Sequence, residues 1–180
     1  MRKKILWITE TAAMLALLVA AQWVTKPLGQ LVTGSCVNAV LAVTAMLVGL
    51  PGGLTVALLS PVFAFLLGIA PNAVTVPVIM VGNGIYVALF WLISGKCWWR
   101  NVTGIIAAAV GKFGVLYALI NWIVCGVAAD ALMAQGVLKA PLLKVLPANF
   151  GVLQLMTAWA GGSLALAISS VLKKALKKNG

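Results

Sequence analysis

The sequence predicts an all-α membrane protein, a six-transmembrane-helix bundle with both termini on the cytoplasmic side. Composition is the first observation behind this: 63% of the 180 residues are hydrophobic, 8% are charged, and the mean hydropathy is +1.13. These values lie far outside the range of soluble globular domains. The second is spacing. Apolar runs fall at about 5–25, 36–50, 54–70, 73–93, 102–127 and 149–172, joined by short links, so the whole of 1–180 reads as one transmembrane domain. The third is charge placement. Nine Lys and Arg fall on one side of such a bundle, at the start, at Lys96 and Arg100, and in the tail, against Lys26, Lys139 and Lys144 on the other. That bias places both ends inside.

Arg2-Lys3-Lys4 before Ile5–Val24 resembles a signal peptide in outline, but the apolar runs downstream make a first span the simpler reading. On that span Ala12, Ala16 and Ala20 recur every four residues, a smooth stripe of the kind that lets another helix come close or that serves internal packing. Lys26-Pro27 predicts a break, followed by a more polar external stretch through Gln30, Thr33 and Ser35. Asn38 lies just inside the second span, and Pro51-Gly52-Gly53 reads as a tight turn into the third. Pro61 predicts a kink there, and Pro71-Asn72 turns the chain into the fourth span.

In the fourth span Asn83 and Tyr86, three apart, share a face. Gly95–Arg100 is a basic, Trp-containing interfacial loop. The fifth span carries Lys112, Tyr117, Asn121 and Trp122. After it, Ala128–Leu146 is the longest connection, with an interfacial helix expected over Ala131–Leu138. The sixth span opens at Asn149, contains Gln154 and ends in the basic Lys173–Lys178 tail.

Net charge +11 would suggest nucleic acid in a soluble protein, but here the cations flank apolar runs and membrane topology accounts for them. There is no histidine, the only carboxylates are Glu10 and Asp130, and the three cysteines have no metal or redox spacing. No metal site, cofactor, catalytic triad or paired-carboxylate enzyme is therefore expected, and no Walker A loop is present.

Lys112 lies about ten residues into its span, roughly 15 Å deep and close to the midplane. Insertion of a lysine there costs about 2.5–3.5 kcal/mol, so it is expected to face a protein interior or a wet cavity. Two readings follow: an anchor for a polar ligand, or a lysine paired with backbone carbonyls or a carboxylate. Around it the sequence gathers Asn38, Asn83, Tyr86, Tyr117, Asn121, Asn149 and Gln154 from several spans, all toward the outer side. A single amide in a membrane is commonly interhelical glue, whereas several at one depth around a lysine suggest an outward-facing pocket. One cation, amides and phenols without a carboxylate suit a small anionic or carbonyl-rich molecule. Trp23, Trp122 and Trp159 are available to stack on a flat ring or to anchor the spans at the interface.

Six short spans, basic termini, the Ala12, Ala16 and Ala20 stripe, Gly-Gln-Leu-Val-Thr-Gly-Ser at 29–35 and Pro-Ala-Asn-Phe at 147–150 together resemble the S components of energy-coupling factor (ECF) vitamin transporters. The resemblance implies capture of a vitamin-like molecule at the outer face of a bacterial cell membrane. It also implies docking through the alanine stripe on a transmembrane coupling subunit driven by two cytoplasmic ATPases. By the same resemblance Gln22–Ser35 would be a lid, and the fourth to sixth helices would contact the ligand. The nickel and cobalt members carry an N-terminal histidine arm that this chain lacks, and the absence of an acid on the fourth helix speaks against a cationic vitamin. Readings from other classes are a small proton-coupled exporter using Glu10 and a noncatalytic scaffold presenting the alanine stripe.

Overall fold

The computed structural model describes residues 2–70 and 72–178, with side-chain surroundings for 3–70 and 72–171. The side chains of Arg2, Lys173, Lys174, Lys177 and Lys178 and the turn residue Pro71 lie outside the described residues. The chain forms α1 (Arg2–Thr25), α2 (Gln30–Leu47), α3 (Leu50–Leu66), α4 (Thr75–Ile93), α5 (Trp98–Ala118), α6 (Ala129–Ala134), α7 (Ala140–Asn149) and α8 (Val152–Lys178). A 3-10 turn, Lys26–Leu28, joins α1 to α2, and α5 continues as a π-helix over Leu119–Val127. Five of these segments are long and apolar enough to cross a membrane, while α3, at 17 residues, is a shorter apolar helix. At the helical rise α3 is about 25 Å long, a few ångströms less than a typical hydrocarbon core.

The bundle is built inside out relative to a soluble protein. Large apolar side chains such as Leu6, Val24, Leu66, Leu92 and Val127 are on the outside, and the interior holds, beside large apolar ones such as Leu41, Phe90 and Ile120, many small residues and the buried polar ones. Hydrocarbon outside removes the usual reason to hide leucine, so close van der Waals fit decides which faces meet. The most extensive pairings are α2 with α8 and α4 with α5; α1 packs at the edge, on α2 and α3. Small side chains allow the first of these. A Cβ on Gly161 would run into the α2 backbone at Ser35 and Ala39, and one on Gly34 would meet the Thr157 side chain on α8.

Hydroxyls ride in these apolar helices by turning back on their own backbone. Thr9, Thr11, Ser35, Thr44 and Thr55 each donate to the carbonyl four residues earlier. In the polar stretch Gln30–Ser35, which is helical rather than a loop, Ser35 follows this pattern. The second helix starts at Gln30, six residues before the expected position, and its break is confined to Lys26–Gly29, where Gly29 has φ +88. Gln22–Ser35 is consequently two helix ends joined by one turn, not a lid loop.

Other boundaries shift for similarly local reasons. The turn into α3 is at Val48–Gly49, with Gly49 at φ +86, and Pro51 sits in the first helical turn, where its missing N–H costs nothing. Gly52 and Gly53 belong to the helix; a Cβ at either would press on Val48 or Val87. The helix assignment runs on through Pro61. The expected basic loop has Trp98–Arg100 already within α5. The expected interfacial helix is the shorter α6, and Pro147–Asn149, read as opening the last helix, instead closes α7, with Phe150 and Gly151 separating it from α8.

One end of the bundle is stitched by its links. Lys26 Nζ donates to the Gly68 carbonyl beyond the C-terminus of α3 at 2.7 Å, where a cation also favours the helix dipole. Asn72 Nδ2 donates to the Val137 carbonyl at 2.8 Å, tying the α3–α4 link to the α6–α7 link. Leu138, Leu146 and Phe150 cover Val78, Leu116, Ile120 and Val124 from above.

Gly161→Ala is expected to lower unfolding free energy in micelles by about 1–3 kcal/mol through overpacking. Gly114→Ala, where nothing lies within 4 Å of the added carbon, is expected to be neutral or slightly stabilising. Equal losses at both sites would mean that the α2–α8 approach is not what Gly161 provides.

Candidate functional site

At the stitched end the C-terminus of α1, the N-terminal halves of α2, α4 and α8, the middle of α5, the later part of α3 with the link after it, and the end of α7 line a cavity of about 120 Å³. Lys112 projects into it and is 3% exposed. Its Nζ donates to Asn38 Oδ1 and to Asn83 Oδ1, each at 2.7 Å. That is a short distance, and amide oxygens can only accept, so Nζ is the donor in both bonds and is held between α2 and α4. Its Nζ also lies 5.6 Å from the centre of the Tyr86 ring, within cation–π reach.

The holders are themselves held. Asn38 is fully buried, and its Nδ2 faces Thr157 Oγ1 at 3.5 Å. Thr157 Oγ1 donates in turn to the Gln154 carbonyl at 3.1 Å. Tyr86 is fully buried and donates its hydroxyl to the Ala158 carbonyl at 3.2 Å. Helices α2, α4, α5 and α8 therefore converge on one side chain.

Among the described residues Nζ has two acceptors, Asn38 and Asn83; a protonated Nζ would carry a third hydrogen beyond them. No carboxylate balances the charge, because Glu10 and Asp130 are both exposed. Hydrogen bonds to a charged group contribute about 1.5–3 kcal/mol each. Two of them offset the cost of placing a lysine at mid-span, so the protein tolerates the group by itself. What they leave is a basic group at a cavity wall with no acid beside it.

The expected site residues divide into three groups. Lys112, Asn83, Asn149 and Gln154 line the cavity. Asn38 and Tyr86 do not line it but hold Lys112 from behind. Tyr117, Asn121 and Trp122 are not in it: Tyr117 is 46% and Trp122 69% exposed, and Asn121 Nδ2 donates to the Tyr117 carbonyl of its own helix. Helical geometry explains the miss, since positions five and nine beyond Lys112 point about 140° and 180° away from it, and the π-helical turn from Leu119 shifts the register further. Trp23 and Trp159 are exposed on the outside too; the aromatic residue that lines the cavity is Phe150.

Three polar side chains of the lining were not among the expected ligand contacts: Gln22, Gln30 and Thr33. Thr33 Oγ1 donates to the Thr25 carbonyl. Gln22 is 9% exposed, and its Oε1 is buried with no hydrogen-bond partner among the described residues. The signal was in the α1 pattern: Thr11, Leu18 and Gln22 form its buried face, whereas Ala12, Ala16 and Ala20 are all exposed. Gln22 is two residues, about 200°, from Ala20. The alanine stripe thus faces away from the bundle.

A second groove, of about 610 Å³, lies between the start of α5 and the later part of α8, flanked by Lys96, Trp98 and Trp159. It is larger but more open, and no buried charge faces it. Comparison with known proteins gives no match: no family model, curated protein or solved structure aligns with the chain.

Asn38→Ala is expected to cost about 1.5–3 kcal/mol of stability by removing one acceptor from the charge. Combined with Lys112→Met, the loss is expected to be smaller than the sum of the single losses, as a double-mutant cycle in micelles would measure. Strict additivity would mean that the two residues do not act as a unit.

Proposed function

We propose that the chain is a six-span, N-in and C-in substrate-capture subunit of the bacterial cell membrane, similar in role to an S component of an ECF-type ABC importer. In this reading α3, though short, is the third span. The cavity is at the extracellular face and binds a vitamin-like, neutral or anionic micronutrient. Exposed Ala12, Ala16 and Ala20 form the contact with a transmembrane coupling subunit and its two ATPases. The observation that carries the proposal is a buried lysine, Lys112, that projects into a cavity and is bonded there by two neutral amides rather than by a carboxylate. In this reading it is an ammonium, and its third hydrogen is left for the ligand. A lysine serving only as glue between helices would have its hydrogens taken by protein groups.

Further support comes from the placement of the alanine stripe. α1 packs on two neighbours only, and its smooth face is on the side away from the cavity, so a partner helix can approach without touching the ligand. The exporter reading is less well supported, because Glu10 is exposed on α1 and is not part of the cavity wall.

The test is binding by the purified chain in nanodiscs, without any ion gradient, followed by uptake in cells that contain the coupling module. Lys112→Ala is expected to weaken binding at least tenfold while the thermal unfolding transition persists. Ala16→Leu is expected to abolish uptake and leave binding unchanged. Unaltered affinity in the first variant would make Lys112 structural, and uptake surviving in the second would remove the stripe as the docking face.

A further inference from the structure

The chemistry of the cavity wall narrows what the site takes. Its single cation is Lys112, and the protein supplies no carboxylate to balance it. Charge in a water-poor interior is costly unless matched, so a ligand with one negative charge is favoured over a neutral one, and a second negative charge would be left unmatched. The third ammonium hydrogen is the group that would bond it.

Size gives the second limit. A closed cavity of about 150 Å³ accepts one benzene ring; the space here is about 120 Å³ and partly open, so its walls surround at most one ring, with substituents reaching toward the opening. Val37, Ile79, Leu116 and Phe150 supply apolar walls for such a ring. Gln22 gives the third limit. Buried polar atoms in proteins nearly always have partners, yet Gln22 Oε1 lines the cavity without one. A carbonyl oxygen accepts only, so the group it awaits carries an N–H or O–H.

We infer that the cavity selects a monoanion of about single-ring size that also carries a hydrogen-bond donor, with Lys112 reading the negative charge and Gln22 reading the donor. The inference rests on the capture role proposed above and adds the ligand class and a specificity residue. Gln22 and the alanine stripe are on opposite faces of the same helix, so a ligand bound at Gln22 touches the element that would dock.

The experiment uses the full chain in nanodiscs and titration calorimetry with benzoate, the three hydroxybenzoates, the matching hydroxybenzamides and 6-hydroxy-2-naphthoate. At least one hydroxybenzoate is expected to bind tenfold or more tightly than benzoate, than its own amide and than the naphthoate. In Gln22→Leu the advantage over benzoate is expected to vanish while benzoate affinity holds; in Lys112→Met the advantage of acid over amide is expected to vanish. Amide binding equal to acid, a preference for the two-ring acid, or a hydroxyl advantage that survives in Gln22→Leu would overturn the inference. If none of these probes binds, mass spectrometry of small molecules released from the purified protein decides. A single-ring monoanion with a donor supports the inference. A cationic or multi-ring molecule overturns it and leaves the capture role standing, and release of nothing overturns both.

Discussion

A lysine in the middle of a hydrocarbon-facing bundle, with no carboxylate beside it among the described residues, is the constraint to which the rest of the structure answers. Lys112 needs acceptors at mid-depth, and α2 and α4 each bring one, Asn38 and Asn83. Asn38 and Gly161 both belong to the α2–α8 contact, where a side chain at position 161 would collide with Asn38 itself. The most extensive helix pairing of the bundle is thus also the one that positions an acceptor for Lys112. Tyr86 closes the back of the site and anchors to α8. Packing and electrostatics are parts of one arrangement, so changes to either are coupled.

The same arrangement separates two faces of one helix. On α1 the buried line ends in Gln22 at the cavity, and the exposed line is the alanine stripe. A cavity on one side of an edge helix and a smooth exposed face on the other is the geometry that the proposed capture and docking would require. The links at the cavity end reinforce this by side-chain bonds from Lys26 and Asn72 to distant carbonyls, which hold the rim without a long flexible segment.

Much of this was legible in the sequence where the pattern was strong. Hydropathy marked the apolar helices, and the depth of Lys112 in its run marked it as the group to explain. The amides Asn38, Asn83 and Gln154 were found because a polar side chain in an apolar helix is itself a signal. The misses have physical causes. Depth along a helix says nothing about direction around it, so Tyr117, Asn121 and Trp122 were grouped with Lys112 although they point elsewhere. Gln30–Ser35 was read as a loop because polar residues usually mark one, whereas in this helix Ser35 and Thr33 satisfy their hydroxyls on carbonyls nearby. Pro51-Gly52-Gly53 was read as a turn from residue type alone, whereas the proline suits a first helical turn and the glycines suit close helix contact. Gln22, near a helix end, was read by its place in the chain rather than by the face it shares with Thr11 and Leu18.

The most direct test of the central claim is an experimental structure of the chain isolated with whatever it carries from the cell, at a resolution that places ordered water. The account expects an anionic oxygen of a bound molecule about 2.7–2.9 Å from Lys112 Nζ, on the side left open by Asn38 and Asn83. A third protein carbonyl or hydroxyl in that position, with no molecule in the cavity beyond water, would contradict it.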